Sequence, residues 1–182
     1  MIRFFDLLIS FIGILLFSPI LVIVSLLIIV DSKLPVFFKQ SRVGKHNRDF
    51  ELYKFRTMRV DKENNSFLTL SKSGNHVTGI GYFLRKSKMD ELPQLFNVLK
   101  GDMSIVGPRP EFRKYVDLYN DEQKEILKFR PGVTDYASIK FINEEELLAK
   151  SDNPEELYIK KILPEKILLN KLYFRNHSVK EN

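Results

Sequence analysis

Two adjacent carboxylates, Asp90 and Glu91, are the residues best placed for chemistry in this 182-residue chain. They lie in LRKSKMDELPQLFNVLKGDMSIVGPRPE, residues 84–111. Leu92, Leu95, Phe96 and Leu99 recur there at helical spacing. Gly101 follows as a C-terminal stop, and Pro93 is tolerated only in a first turn. This spacing predicts a helix that begins at the acidic pair. Carboxylates in a first turn commonly do no more than favour the helix dipole. Neighbours on a helix nevertheless point about 100° apart, so the two can hold different tasks. One can attack phosphorus and form an acyl phosphate while the other holds a metal. A helix N-terminus also favours the phosphates such a reaction brings.

The cations near this segment are Lys54, Arg56, Arg59, Arg85, Arg109 and Arg130. Arg109 stands in the rigid turn Gly107-Pro108-Arg109-Pro110, and Arg130 opens the turn RPGVT at 130–134. A guanidinium can grip phosphate oxygens at two points, although each arginine could equally be structural. Other chemistries are poorly served. There is no cysteine, which excludes disulfides, zinc–thiolate sites and cysteine nucleophiles. The three histidines, His46, His76 and His177, lack the helical pairing of metal motifs. No GxxxxGK[ST] or GxGxxG loop occurs, since Gly79-Ile80-Gly81 lacks the third glycine, and no nucleophile elbow carries a serine.

These residues must be positioned by a small set of elements. Leu7–Val30 is an uncharged run of 24 residues. As one helix it would be ~36 Å long, enough to cross a hydrocarbon core. It ends without a cleavage site, which predicts a retained anchor over residues 1–32. Ser18-Pro19 sits at its middle, and proline removes a helix hydrogen bond. Either a kinked span or a helical hairpin fits, with the Ser18 hydroxyl available to a freed carbonyl. Residues 34–60 read as a β-hairpin and 61–78 as a polar loop. A short helical stretch follows over 80–86 and a longer helix over 111–129. The last helix starts at SDNPEELY, where Asp152 or Asn153 can cap and Pro154 can take the first turn. Within it Leu157, Ile162, Leu163, Ile167 and Leu168 share a face that suits either a core or a membrane surface.

The first thirty residues contain only Arg3 and Asp6 as charged residues, so the net +6 lies in the remainder. A basic body suits an anionic partner. Two classes of function remain open: an enzyme acting on phosphorylated substrates, or a non-catalytic, membrane-anchored basic module that binds anionic lipid or nucleic acid. The 44% hydrophobic content excludes disorder over the whole chain. The length suits one catalytic domain over 33–182 beside the anchor.

Four features occur together: the apolar run broken at Ser18-Pro19, KFRTM at 54–58, the block at 84–111 and RPGVT at 130–134. Together they resemble the bacterial sugar transferase family, the monotopic phosphoglycosyl transferases in their minimal form. The resemblance implies an α+β protein: a re-entrant helix–break–helix, then a small, mostly helical cytosolic domain with a short hairpin and amphipathic interfacial helices. It implies Asp90 as nucleophile on the sugar-side phosphate of a UDP-sugar, UMP as leaving group, and a covalent phosphosugar passed to polyprenol (undecaprenyl) phosphate. Glu91 would hold Mg²⁺. Lys54, Arg56, Arg85, Arg109 and Arg130, with Pro108 and Pro110, are the candidate substrate-binding residues. The expected setting is the cytoplasmic face of a bacterial inner membrane, with membrane lipid and no nucleic acid as partner. One departure stands out: many members have glycine after RPG[IV]T, where this chain has Asp135.

Overall fold

The computed structural model describes residues 1–59 and 77–176. The expected loop over 61–78 therefore lies almost wholly outside the described residues, as do His76 and His177. Helix α1 runs from Ile2 to Ser32 with Pro19 inside it. Pro19 has no N–H to give to the carbonyl of Leu15, four residues earlier. The Ser18 hydroxyl donates to that carbonyl at 2.8 Å, so it keeps a partner and α1 runs uninterrupted through Ser18-Pro19, where a helix–break–helix is expected. Ser10, Ser25 and Ser32 likewise donate to carbonyls one turn back, which keeps hydroxyls bonded in an otherwise apolar helix.

Two faces of the remaining chain receive α1. Its first turns lie on α3 (Gln94–Lys100) and β3 (Ser104–Val106). The Arg3 guanidinium donates to Val98 O at 2.7 Å and Leu99 O at 3.0 Å. The buried Asp6 carboxylate accepts from Ser104 Oγ at 2.8 Å and Ile105 N at 2.9 Å. Farther along, Val24 and Ile28 pack with Phe55 and Leu84 in one core cluster. Burying each such aliphatic side chain is worth roughly 1.5–3 kcal/mol.

The hairpin is present. Strands β1 (Phe37–Val43) and β2 (Asp49–Phe55) are antiparallel, with Phe37 opposite Phe55 and Val43 opposite Asp49. Helix α2 spans Gly79–Ser87, close to the expected 80–86, and Thr78 caps it by accepting from Gly81 N. Contrary to the expectation from the spacing, the acidic pair is not in the first turn of α3. Met89–Glu91 form a separate 3₁₀ turn, and Pro93 sits between it and α3. Gly101 ends α3 in a left-handed conformation at φ 96°, as its position suggests.

A second sheet pairs β3 in parallel with β4 (Gly132–Thr134), an element absent from the sequence reading. Gly107 and Gly132 meet here so closely that a Cβ on either would strike the other's backbone. This contact joins the GPRP and RPG turns: Gly132 N donates to Pro108 O at 3.0 Å and Gly107 N to Thr134 O at 3.1 Å.

The helix expected over 111–129 is broken. Only α4 (Arg113–Val116) and α5 (Asp121–Lys124) are α-helical, followed by a 3₁₀ turn at Glu125–Lys128. The cause is a capping box, in which Asn120 accepts from Gln123 N and its own N–H is bonded by the Gln123 side chain. Short helices α6 (Tyr136–Lys140) and α7 (Glu144–Ala149) follow. The last helix begins as expected, with Asn153 capping and Pro154 in the first turn of α8 (Pro154–Leu157). A π-helical stretch, Tyr158–Ile162, then leads into α9 (Leu163–Asn176). Pro164 cannot donate to the carbonyl of Lys160, and the change of register accommodates that loss. Ile162, Leu163 and Ile167 are buried with Tyr115, Tyr119 and Tyr158, whereas Leu168 is exposed, so the predicted common face is only partly a core face.

Candidate active site

Lys54 enters the site from the end of β2, Asp90 and Glu91 from the 3₁₀ turn, and Arg109 from the loop after β3. Their relative placement is set by Asn97, which is fully buried in α3. Its Oδ1 accepts from Tyr53 N at 2.9 Å, and its Nδ2 donates to Glu51 O at 2.7 Å. The side chain thus bonds the backbone of β2 as a neighbouring strand would. That locks α3, and the turn just before it, to the strand carrying Lys54.

Lys88 makes the turn possible. It is left-handed at φ 57°, uncommon for a residue with a Cβ, and it ends α2 while starting the 3₁₀ turn. The chain reverses there and directs Asp90 inward. Asp90 is 8% exposed, and its Oδ1 is buried without a hydrogen-bond partner. Burial raises its pKa above the usual carboxylate value, against the opposing charge of Lys54, while the charge of Glu91 adds to the rise.

Glu91 has the opposite environment. Lys54 Nζ donates to its Oε1 at 2.8 Å. Arg109 forks onto it, with Nη2 at 2.5 Å from Oε1 and Nη1 at 3.2 Å from Oε2. Burial alone would raise the Glu91 pKa, but Arg109 and Lys54 outweigh it and hold the group well below the usual carboxylate range. Lys54 is itself lowered by burial, with Glu91 opposing that shift. The two neighbours are therefore held apart in character: one an ionised, cation-bound anchor, the other a desolvated oxygen with a free lone pair.

The proposed substrate-binding residues separate into two groups. Lys54 and Arg109 bond Glu91 directly, and the charge of Lys54 also acts on Asp90. Arg85 donates from Nε to Thr57 Oγ1 at 2.9 Å, and its charge acts on Asp90. Arg56 instead binds the end of α1, donating to Ser32 O at 2.6 Å, Ser32 Oγ at 2.8 Å and Lys33 O at 2.6 Å. Arg130 donates to Gly101 O at 3.1 Å, at the end of α3. Pro108 and Pro110 flank Arg109 and line a cavity with Glu111, Tyr119 and Asn170. Arg42 supports this loop from β1. It donates to Pro110 O at 3.1 Å and lies 3.4 Å over the Phe112 ring, and burial pushes its pKa down to about 10.

Sequence reasoning missed Asn97, Lys88 and the pair Arg3–Asp6 as positioning groups. Asp135 carried a signal only as a departure from a family pattern. Its φ of −155° is extended backbone open to any residue, so this fold has no need of glycine there.

Among the described residues no cluster of three or more His, Asp or Glu side chains gathers to hold a metal. Mg²⁺ requires less than that: one or two carboxylates suffice when phosphate and water oxygens complete its shell. Glu91 Oε2 accepts from a single donor at 3.2 Å, which leaves it a lone pair for such a contact beside Lys54 and Arg109.

The Bacterial sugar transferase family model matches residues 1–180. The chain is 42% identical over 120 residues to a Bacillus subtilis (strain 168) protein named a putative undecaprenyl-phosphate N-acetylgalactosaminyl 1-phosphate transferase, covering 66% of this chain and 67% of that one. It is 44% identical over 142 residues to the UDP-N-acetylgalactosamine-undecaprenyl-phosphate N-acetylgalactosaminephosphotransferase of Aeromonas hydrophila, covering 75% of this chain but only 33% of the relative. Against the UDP-glucose:undecaprenyl-phosphate glucose-1-phosphate transferase of Escherichia coli (strain K12), identity is 35% over 141 residues, covering 74% of this chain and 30% of the relative. The chain thus spans about a third of the Aeromonas and Escherichia proteins and two thirds of the Bacillus one. With a family model matched from residue 1 to residue 180 and the acidic pair set among Lys54 and Arg109, the chain belongs to the bacterial sugar transferase family.

Proposed function

We propose that this protein moves a sugar-1-phosphate from a UDP-sugar to polyprenol phosphate in two displacements at phosphorus. In the first, an Asp90 carboxylate oxygen attacks the sugar-side phosphorus. The bond from that phosphorus to the bridging oxygen breaks, and UMP leaves with the oxygen. In the second, a phosphate oxygen of the lipid attacks the same phosphorus, and the bond to Asp90 breaks. The product is a polyprenol-diphosphate sugar, and the Asp90 carboxylate is restored. The observation that carries this reading is the contrast within the pair: Asp90 Oδ1 is buried without a partner, while its neighbour is held by two cations. An oxygen without a hydrogen-bond donor keeps its lone pairs for attack once the diphosphate reaches it. Lys54 and Arg109, held on Glu91, offer preorganised positive charge at the acidic pair for the phosphate oxygens. Glu91 would hold Mg²⁺ through Oε2, and the ion would neutralise charge on the diphosphate.

The membrane setting belongs to the same proposal. Helix α1 is long and apolar enough to cross a bilayer. Both of its ends are nevertheless tied to the same body, Arg3 to α3 and Ser32 to Arg56. A span would place those ends on opposite sides, so the reading favoured here is re-entrant, with the domain on the cytoplasmic face. Exposed Tyr82 and Phe83 on α2, Tyr136 and Ile139 on α6, Ile142 in the link after it and Leu147 on α7 suit a segment lying on a lipid surface. The binding-module alternative accounts for the anchor and the basic charge but not for the divided environments of Asp90 and Glu91. A panel of UDP-sugars, incubated with the protein in nanodiscs, polyprenol phosphate and Mg²⁺, tests the reaction. UMP release with at least one donor is expected, and release with none would remove the proposal.

A further inference from the structure

Asp135 uses both carboxylate oxygens, in a residue only 5% exposed. Oδ1 accepts from Ser138 N at 2.6 Å and caps α6. A cap needs only one oxygen. Oδ2 accepts from Arg109 N at 3.1 Å and from Asn170 Nδ2 at 2.7 Å. Asn170 is buried in α9 and also donates to Lys166 O at 3.1 Å. Arg109 is therefore fixed at two points, its backbone by Asp135 and its guanidinium by Glu91. Around the same loop, Lys166 pairs with Glu144 at 2.5 Å, and Tyr158 donates to Glu111 at 2.5 Å.

We infer that Asp135, held by Asn170, is a positioning residue that sets the Arg109 fork on Glu91 and so couples the C-terminal helix to the acidic pair. The inference rests on the reaction proposed above for its kinetic consequence but not for its structural one. If the peptide N–H of Arg109 loses its acceptor, the loop can shift. A guanidinium displaced by an ångström no longer meets both oxygens of Glu91 and the phosphate together. A residue acting only as the cap of α6 would have no such effect.

Substitutions can separate the two roles. Asp135→Asn keeps a capping oxygen but turns an NH₂ toward two donors, Arg109 N and Asn170 Nδ2. Asp135→Ser keeps a cap and removes Oδ2 altogether, and it serves if the first variant does not fold. Exchanging the pair, Asp135→Asn with Asn170→Asp, restores a donor–acceptor match to α9 while leaving Arg109 N without an acceptor.

The full chain in nanodiscs is assayed for UMP release and for thermal unfolding. Asp135→Asn and Asp135→Ser are each expected to lower kcat by about 10- to 100-fold, with KM for the UDP-sugar changed by less than about threefold. The exchanged pair should recover part of the loss in unfolding midpoint but not kcat. Recovery of kcat together with the midpoint would overturn the inference, since Asp135 would then serve only as a latch on α9. A second readout needs no substrate: the unfolding midpoints of Asp135→Asn, Arg109→Lys and the double variant. Non-additive shifts are expected, because both changes act on one arginine; additive shifts would overturn the coupling. If wild-type protein releases no UMP from any donor while those shifts remain non-additive, the proposed reaction fails and the positioning role stands.

Discussion

At the scale of single residues, the division of labour between Asp90 and Glu91 has opposite consequences for stability. Asp90 is raised by burial, so the folded state resists its ionisation. Below the ordinary value of 3.8 the group is neutral in both states and costs nothing. As pH rises from there through the raised folded value, the unfolded chain ionises first and stability is lost. Asp90→Asn should therefore be more stable than wild type at pH 7, with the difference closing at acid pH. UMP release should meanwhile fall by at least about 1000-fold. Melting curves of the two proteins across pH check this, and an Asp90→Asn variant less stable at pH 7 would contradict it. Glu91 works the other way. Its lowered pKa gives stability that is present above the ordinary carboxylate value and lost as pH falls through the folded value. Glu91→Gln leaves Lys54 and Arg109 facing a neutral amide. The expected loss is roughly 2–4 kcal/mol, the lower end reflecting solvent access to Arg109, together with a large fall in turnover and a weaker response to Mg²⁺. Denaturant titration and a Mg²⁺ series measure these effects, and near-normal activity without added metal would disprove the role given to Glu91.

At the scale of elements, local signals were readable where the cause was local. Gly101 ends α3, Asn153 caps α8, and the hairpin falls where apolar alternation and a polar turn place it. The break at residue 120 was also written in the chain, as the Asn-x-x-Gln capping box, but a helical run of charges and apolar residues obscured it. What could not be read was long-range. GPRP and RPGVT are legible as turns, yet nothing local says that β3 and β4 pair in parallel and bring them together. The stripe Leu92, Leu95, Phe96 and Leu99 is helical, but the fully buried side of α3 is Gln94, Asn97 and Val98. Leu95 instead lies against Gly13 of α1. Arginine roles were equally hidden, because a guanidinium suits a phosphate and a helix C-terminus alike. The structure uses Arg56 at the end of α1 and Arg130 at the end of α3. Arg56→Ala leaves the carbonyls of Ser32 and Lys33 without that donor and should cost about 1–3 kcal/mol. Its kcat should stay within about tenfold of wild type, whereas Arg109→Ala should lose ~100-fold or more. Parallel melting and UMP assays on the two variants check this, and a larger kcat loss for Arg56→Ala would return that residue to the substrate site.

At the scale of the whole molecule, α1 is part of the fold. Asp6 and Arg3 bind its start to β3 and α3, and Val24 and Ile28 complete a core with Phe55 and Leu84. In the proposed re-entrant reading, an anchor so attached would leave its two ends on one side of the bilayer. Cysteines introduced singly at residues 2 and 34 should both react with an impermeant reagent from the cytoplasmic side in inverted vesicles. Labelling of residue 2 only from the opposite side would contradict the re-entrant reading. The proposed reaction requires a soluble nucleotide and a lipid phosphate to reach the Asp90 carboxylate in succession. That succession is the central claim, and it leaves a distinct trace. Intact-protein mass spectrometry of the wild-type chain with a reactive UDP-sugar and Mg²⁺, but no lipid acceptor, should reveal a phosphosugar adduct. The adduct should map to Asp90, be absent from Asp90→Asn and disappear when polyprenol phosphate is added. UMP that forms only with both substrates present, and with no adduct at any time, would instead mean direct transfer and leave Asp90 without its covalent role.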